Sequence, residues 1–124
     1  MNWTVVNTVE FAGETWGQKD VEFLRILSLP GNVENSPLCV AVAQTTGAPF
    51  PEKEARDSGW QVLNPQDCVA DWISYRQFIY DSCGELSVAK QTYVKARTGW
   101  FSCRSACYLA AVSTSSLPVA AAST

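Results

Sequence analysis

Residues 38–43, Leu38-Cys39-Val40-Ala41-Val42-Ala43, form a continuous apolar run of strand length. A strand that is apolar on both faces is typical of a parallel sheet, because helices cover both sides of such a sheet. Residues 60–63 and 86–89 predict two further short strands, and segments with helical features lie between the strands. This alternation predicts an α/β fold with a short parallel sheet and right-handed crossovers.

Five segments have helical features, either apolar residues at helical spacing or the residue types that start and stop helices. They are residues 20–29, 51–58, 71–82, 91–97 and 103–112. Pro30-Gly31 is expected to stop the first of them, and Asp71 is expected to cap the third. The last segment is almost entirely apolar beyond Arg104, so we expect it to be a buried helix with Ser102 as its cap.

The segments outside this pattern are less regular. Residues 3–6 and 9–11 predict short extended stretches around a polar turn, and residues 13–19 predict a loop. Residues 113–124 carry no charge and show no periodicity. The composition therefore predicts one domain over residues 1–112, followed by a low-complexity tail.

The composition of the 124 residues excludes several classes of function. The chain contains no histidine, which rules out Ser-His-Asp and Cys-His catalysis and histidine-ligated zinc. A net charge of −3 argues against general nucleic-acid binding. No apolar run approaches the roughly 20 residues of a membrane span, and no secretion signal opens the sequence. We therefore expect a cytoplasmic protein with no membrane span, no metal site and no cofactor.

Charge is unevenly distributed along the chain. All 12 acidic residues lie within residues 1–85, whereas every charged residue of 86–104 is basic. The basic residues of that segment are Lys90, Lys95, Arg97 and Arg104. A local cluster of positive charge on an acidic protein is suited to an anion such as a phosphate group. The alternative is a helix whose solvent-facing side carries lysine and arginine.

The cysteines give no pattern of disulfides or metal ligands. There are five of them, and no Cys-x-x-Cys pair occurs. Cys103 and Cys107 can share a helix face, but two thiolates without further ligands make a poor zinc site. We interpret the cysteines as small buried apolar residues.

Most aromatic residues of the second half lie at core spacing. They are Trp60, Trp72, Tyr75, Phe78, Tyr93, Trp100 and Phe101. We interpret most of them as ordinary core residues rather than as a surface on which a sugar stacks. Trp16, beside Gly17 in the predicted loop, is the one aromatic residue that we single out as a candidate for ligand contact.

A family resemblance rests mainly on residues 84–110. The sequence reads GELSVAK at 84–90, YV at 93–94 and RTGWFSCRSACYLA at 97–110. Shorter pieces occur upstream in the matching order, at residues 2–4, 16–23, 29–30 and 59–62. Together these pieces resemble the donor-side domain of bacterial GT-B-type, family-one-like glycosyltransferases, over about residues 1–111.

The resemblance implies a partial Rossmann-like three-layer domain, with a short parallel sheet flanked by helices. Such enzymes consist of two Rossmann-like domains, of which the first binds mainly the acceptor and the second the nucleotide sugar. The chain corresponds to part of the second domain. Residues 1–3 correspond to positions partway along the first strand of that domain, and the match stops after Ala111. The resemblance therefore implies a domain that is truncated at both ends.

The resemblance also implies which residues contact a diphosphate. Lys19, at the end of the first predicted loop and at the entry to a helix, occupies the position that the family uses for this contact. Arg104 and Ser105 lie in the first turn of the last helix, and Lys90 and Arg97 are further candidates. The alternatives are a solvated loop lysine at 19 and a structural ion pair between Arg104 and an upstream acidic residue. Catalytic residues are left unassigned.

These observations predict a chain that binds a nucleoside diphosphate or nucleotide sugar at most weakly and is not a competent glycosyltransferase by itself. Many retaining members use a pair of glutamates ahead of the final helix, whereas no acidic residue follows Glu85 here. One alternative is a non-enzymatic small α/β protein that self-associates or binds a partner through exposed sheet edges. The other is a fragment without selected activity.

Overall fold

The computed structural model of the chain describes residues 1–5, 8–43 and 47–112. The structure is mixed α/β with a short parallel sheet, as the alternation of strand and helix patterns predicts. The predicted tail, residues 113–124, lies outside the described residues. Within the described ranges, none of the helices is long and apolar enough to cross a bilayer.

Within the described residues, four strands and six α-helices follow one another. The strands are β1 (Val9–Phe11), β2 (Glu14–Trp16), β3 (Cys39–Ala41) and β4 (Gln61–Leu63). The helices are α1 (Lys19–Arg25), α2 (Glu52–Asp57), α3 (Pro65–Val69), α4 (Trp72–Tyr80), α5 (Gln91–Ala96) and α6 (Cys103–Val112). A 3-10 helix covers Leu29–Asn32.

The parallel sheet is centred on β3, the middle of the apolar run at residues 38–43. β3 pairs with β4 in parallel, with Val40 opposite Val62. On its other side, Asn2 forms a parallel bridge with Ala43, and the amide of Ala43 donates to the carbonyl of Met1 at 2.8 Å. The spatial order is therefore the amino-terminal segment, β3 and β4, and the prediction of a parallel pair is confirmed.

The core is an aromatic cluster packed on the sheet. Trp3 meets Phe23 and Phe50 edge-on, with ring centroids 5.7 and 4.9 Å away. Phe23 is 1% exposed, and its ring centroid lies 5.0 Å from that of Trp60. The indole Nε1 of Trp60 donates to the carbonyl oxygen of Leu27 at 2.8 Å, so this buried polar atom is satisfied. The cluster joins the amino-terminal segment, α1 and the start of β4.

The prediction of a third strand at residues 86–89 is wrong, because this segment forms no ladder. Leu86 and Val88 are partly buried against the aromatic core. The alternating apolar pattern of Leu86 and Val88 is typical of a strand. Their side chains do pack on the core, but the backbone of the segment forms no ladder with a neighbouring strand. The segment leads instead into α5, which ends at Ala96 with Arg97 in the left-handed region at φ 48°.

The predicted loop at residues 13–19 is wrong over β2, which pairs with β1 as an antiparallel hairpin. The turn is made by Ala12 and Gly13, both with positive φ, 53° and 76°. Two residues in the left-handed region match the right-handed twist of a tight hairpin. Because alanine rather than asparagine precedes the glycine, the usual sequence signal for this turn is missing.

The first and second helices follow their predictions in part. α1 begins at Lys19 and ends at Arg25, and the predicted stop at Pro30-Gly31 lies within the 3-10 helix instead. Pro51 is the cap rather than the first residue of α2. Gly59, with φ 97°, follows α2 as the predicted helix-ending glycine.

The third and fourth helices meet end to end. α3 was not predicted; its cap is Asn64, whose side chain accepts a hydrogen bond from the amide of Gln66 at 3.1 Å. Asp71 caps α4 as predicted, accepting from the amides of Ile73 and Ser74 at 2.9 and 2.8 Å. This cap fixes where α4 starts.

The expectation that the last helix is buried is wrong. Ser102 caps α6 as predicted, since its hydroxyl accepts from the amide of Arg104 at 3.2 Å. Tyr108 is the buried residue of the helix among those whose side chains the structure describes, whereas Leu109 is 52% exposed. A helix apolar all round is expected to be covered on every side, but here only one side packs, against α4.

The interpretation of the cysteines as buried residues is also wrong. Four are exposed, and Cys68 has intermediate exposure. Cys103 and Cys107 lie on the exposed side of α6. Several aromatic residues assigned to the core are exposed as well: Trp72, Trp100 and Phe101.

Candidate functional site

A pocket of about 480 Å³ brings basic side chains together from distant parts of the sequence. We call it the cationic pocket; it is lined by Met1, Asn2, Val5, Lys19, Lys90, Tyr93, Trp100, Ser102 and Arg104. Its volume lies within the range of about 300–1,000 Å³ that is usual for small-ligand sites. Three of the five residues predicted to contact a diphosphate, Lys19, Lys90 and Arg104, therefore share one pocket.

Lys19 is positioned by contacts between the start of α1 and the start of α5. The amide of Gly17 donates to Oε1 of Gln91 at 2.8 Å, and the amide of Gln91 donates to the carbonyl of Gln18 at 3.3 Å. Both Gln18 and Gln91 are buried. The first of these bonds connects residues 74 positions apart. Together they hold the start of α1, which carries Lys19, against Gln91, the residue that follows Lys90.

Glycine is required at position 17 by this close approach. A Cβ atom there would lie 2.6 Å from Cγ2 of Val21 and 3.0 Å from Oε1 of Gln91. The first of these separations is shorter than real Cβ contacts, so the backbone or Val21 would have to shift. Gly17 thus allows the strand β2, the start of α1 and α5 to meet next to the pocket.

Arg104 fits both interpretations drawn from the sequence, a structural ion pair and a candidate contact to a diphosphate. Its Nε donates to Oε1 of Glu85 in an ion pair, which matches the alternative of a structural pair with an upstream acid. Arg104 also lines the cationic pocket, together with its cap residue Ser102. Glu85 is the more buried partner, with its side chain 10% exposed, so the pair is partly shielded from water.

A stacked aromatic pair forms one wall of the pocket. The rings of Tyr93 and Trp100 lie 5.1 Å apart, with an interplanar angle of 23°. The ammonium of Lys19 lies 5.9 Å from the ring centroid of Trp100, and that of Lys90 lies 5.8 Å from that of Tyr93. The ring faces attract the ammonium groups and hold both lysines beside the wall.

The electrostatic environment of the pocket is positive. The pKa of Lys19 is lowered to about 8, first by burial and then by the charges of Arg104 and Lys90, while the charge of Glu85 acts in the opposite direction. The pKa of the Met1 ammonium is lowered to about 6 by burial and by the charges of Arg104 and Lys19. Neither Lys19 nor Lys90 forms an ion pair with an acidic residue in the described part of the chain. The pocket therefore holds positive charge that Glu85 does not balance.

The other basic residues of the segment 86–104 lie elsewhere. Arg97 is exposed at the end of α5, and Ser105 is half-buried in α6 without lining the pocket. Lys95 donates to Oε2 of Glu14 at 3.3 Å and lies 5.5 Å from the ring centroid of Trp16. Trp16 thus contacts a lysine of α5 rather than the pocket.

A second pocket, of about 470 Å³, opens at the carboxyl ends of β3 and β4. The charged residues that line it are Glu52 and Arg56, which pair with each other at 2.8 Å. Arg56 also donates to the carbonyl of Val62 at 3.0 Å. The positive charge of Arg56 in this second pocket is already paired with Glu52. The cationic pocket is therefore the better candidate for an anionic ligand.

Sequence reasoning missed the aromatic wall. Tyr93 and Trp100 were interpreted as core residues, yet they stack because the chain turns between them at Arg97 and Gly99, both in the left-handed region. A glycine predicts such a turn, whereas a left-handed arginine does not. The contribution of Met1, Asn2 and Val5 to the lining depends on tertiary structure alone.

Comparison of the chain with protein-family models, with curated proteins and with solved structures finds no match in any of the three. We therefore infer the function of the chain from the residues that line the cationic pocket and from the chemistry of their side chains.

Proposed function

We propose that the chain binds a phosphate-bearing ligand in the cationic pocket, of the class of nucleoside diphosphates and nucleotide sugars, and does not transfer sugar by itself. One observation carries the proposal. Lys19, Lys90 and Arg104 converge on one pocket of about 480 Å³, although they are far apart in the sequence. A diphosphate is recognised by fixed positive groups placed around it, and charge-assisted hydrogen bonds to phosphate are the strong ones.

The aromatic wall favours a nucleoside over inorganic diphosphate. Tyr93 and Trp100 stack on each other, and the ammonium groups of Lys90 and Lys19 lie over these rings, so a base stacks here when a lysine leaves its ring to meet the phosphates. A base that stacks on an aromatic ring gains about 1–3 kcal/mol, with little dependence on which base it is. The phosphates and the base of one ligand would then use neighbouring parts of the same pocket.

The resemblance to the donor-side domain of GT-B-type glycosyltransferases supports the same ligand class. It implies diphosphate contacts for Lys19 and Arg104, and both residues line the cationic pocket. We extend the proposal to the fold and propose a partial Rossmann-like three-layer domain; the parallel pairing of β3 with β4 and the parallel bridge from Asn2 to Ala43 support it.

The test is calorimetric titration with the diphosphates of uridine, guanosine, adenosine and thymidine, together with inorganic diphosphate and the free nucleosides. We expect saturable binding of at least one nucleoside diphosphate. We also expect that nucleotide, at millimolar concentration, to raise the melting temperature of the protein. Lys19→Met and Lys90→Met should each weaken binding about tenfold or more, since a hydrogen bond to a charged group contributes about 1.5–3 kcal/mol.

Lys53→Met is the matched control. Lys53 is 85% exposed and pairs with Asp57 on α2. The substitution Lys53→Met therefore removes the same charge as Lys19→Met without changing the pocket. Equal losses from Lys53→Met and Lys19→Met would show an effect of net charge alone. Such a result, or titrations without saturation for every diphosphate, would refute the proposed binding.

A second candidate function, self-association or binding of a partner protein, is favoured by the exposed apolar side chains on α4 and α6. Trp72, Ile73 and Leu109 are 70%, 58% and 52% exposed. Large exposed apolar side chains on neighbouring helices are typical of interaction surfaces. Sedimentation velocity at two concentrations, with Trp72→Gln as the variant, tests it. A monomer at both concentrations argues against self-association.

A further inference from the structure

The four lysines of the chain fall into two environments. Lys53 and Lys95 form ion pairs with Asp57 and Glu14 at 2.9 and 3.3 Å. Lys19 and Lys90 line the cationic pocket and have no ion-pair partner among the described residues. An ion pair holds a lysine in its charged form, whereas a pocket with other cations favours the neutral amine.

Lys19 is the lysine whose environment disfavours the ammonium most clearly. Burial lowers its pKa to about 8. The charged groups that face it are Arg104 of α6 and Lys90 at the start of α5, which oppose its protonation, and Glu85, which favours it. The Met1 ammonium, whose own pKa is lowered to about 6, has already lost its charge where Lys19 titrates. A neutral amine is a nucleophile, and a desolvated lysine beside another cation is how Schiff-base lysines are activated.

We propose that Lys19 forms a reversible imine with phosphate-bearing aldehydes, while Lys90 and Arg104 receive the phosphate. The inference rests on the proposed function for the phosphate-binding role of those two residues and adds a covalent role for Lys19. The pocket thereby combines an anion site with a nucleophilic nitrogen, and Trp100 at 5.9 Å from Nζ limits the side from which a carbonyl can approach.

The reaction balances without a redox partner. The lone pair of the neutral Nζ attacks the carbonyl carbon, a C–N bond forms, and the carbonyl oxygen becomes a hydroxyl as it takes up one amine proton. The second nitrogen proton and this hydroxyl then leave as water, and the C=N bond forms. Hydrolysis reverses the sequence, so the modification is reversible until the imine is reduced.

Pyridoxal 5′-phosphate is the probe for the test. The full chain is incubated with it at pH 8, reduced with borohydride, digested and mapped by peptide mass spectrometry. About half of Lys19 is neutral at this pH, against less than about 1% of a lysine with an ordinary pKa. Allowing for the lower nucleophilicity of a less basic amine, we expect labelling of Lys19 to be about tenfold faster than that of Lys53.

Two comparisons separate covalent reactivity from phosphate binding. Pyridoxal without the phosphate should label Lys19 much more slowly, because Lys90 and Arg104 have no anion to hold. Lys19→Arg keeps the positive charge but cannot form an imine, so it should abolish the fast labelling and leave the slow labelling of Lys53 unchanged. Circular dichroism of Lys19→Arg checks that the variant is folded.

Each contrary outcome refers to a different claim. Labelling spread evenly over the four lysines, with saturable nucleoside diphosphate binding intact, overturns the reactive role of Lys19 and leaves the proposed function standing. Equal labelling of Lys19 by pyridoxal and its phosphate overturns the joint action of Lys19 with the anion site. Fast, phosphate-dependent labelling of Lys19 that excess nucleoside diphosphate suppresses supports the inference.

Discussion

Glu85 and Arg104 form an ion pair that joins the segment after α4 to the first turn of α6 at the edge of the cationic pocket. The pair does two opposite things. It anchors the start of α6, and it places the negative charge of Glu85 where this charge reduces the attraction of the pocket for an anion. Glu85 therefore stabilises the fold through Arg104 but weakens the binding of an anion in the pocket.

Glu85→Gln separates these demands. We expect nucleoside diphosphates to bind more tightly, because the substitution removes a negative charge beside Lys19 and Arg104. We expect the free energy of unfolding to fall, because Arg104 loses the charge of its partner. Calorimetric titration and urea denaturation of the same preparation measure both changes. A variant that binds more weakly would show that Glu85 positions Arg104 for the ligand.

Gly17→Ala should destabilise the fold by about 1–3 kcal/mol, the usual range for overpacking a filled site. The added Cβ would lie 2.6 Å from Val21 and 3.0 Å from the Gln91 side chain. Gly31→Ala is the control, since a Cβ at Gly31 has open space around it. Urea denaturation measures both, and equal losses would mean that the contact with Val21 relaxes freely.

Trp60→Phe should cost about 1–3 kcal/mol, because it leaves the Leu27 carbonyl without the indole donor at 2.8 Å. Trp72→Phe makes the same chemical change at a side chain that is 70% exposed, where we expect a change within about 0.5 kcal/mol. Thermal unfolding of the two variants compares them directly. Similar melting temperatures would show that the indole bond to Leu27 contributes little.

Stability should also depend on pH through Lys19. Its folded-state pKa of about 8 lies below the ordinary value of 10.5, so the unfolded chain binds more protons between these values. The contribution of Lys19 to the free energy of unfolding therefore rises as the pH increases from about 8 to 10.5. The relevant quantity is the difference in the free energy of unfolding between the chain and Lys19→Met, because this difference isolates the contribution of Lys19.

The sign of this difference in the free energy of unfolding can be predicted below pH 8 and near pH 10.5. Below pH 8, Lys19→Met should be the more stable chain, since it removes a charge that the pocket disfavours. The advantage should shrink as the pH rises toward 10.5. Urea denaturation at pH 7 and pH 10 measures it, and an advantage that does not change with pH would show that Lys19 titrates normally.

Local chain signals predicted the sheet and several helix ends well. The apolar run at 38–43 predicted a strand with parallel neighbours, and Asp71 and Ser102 predicted two caps. These features depend on residue types that act within a few positions of themselves. The hairpin turn at Ala12 and the unpaired segment 86–89 depend on partners elsewhere, so local patterns assigned them wrongly.

The candidate site was predictable only in its charges. Lys19, Lys90 and Arg104 were expected to contact an anion, and all three line the same pocket. The stack of Tyr93 on Trp100 depends on a turn through a left-handed arginine, for which the sequence has no signal. Composition also predicted burial for apolar α6, whereas burial depends on whether another element covers its outer side.

Nucleoside diphosphate binding should weaken as the pH rises through about 8, because Lys19 loses its proton there. The diphosphate itself is fully charged above about pH 7, so its own titration does not produce the loss. A bound anion favours the ammonium form, and binding near pH 8 should accordingly be accompanied by proton uptake. Titration in two buffers of different ionisation enthalpy measures that uptake, and Lys19→Arg, which stays charged, should bind equally at pH 7 and pH 9. An affinity for the unaltered chain that does not change between those values would mean that Lys19 does not contact the phosphates.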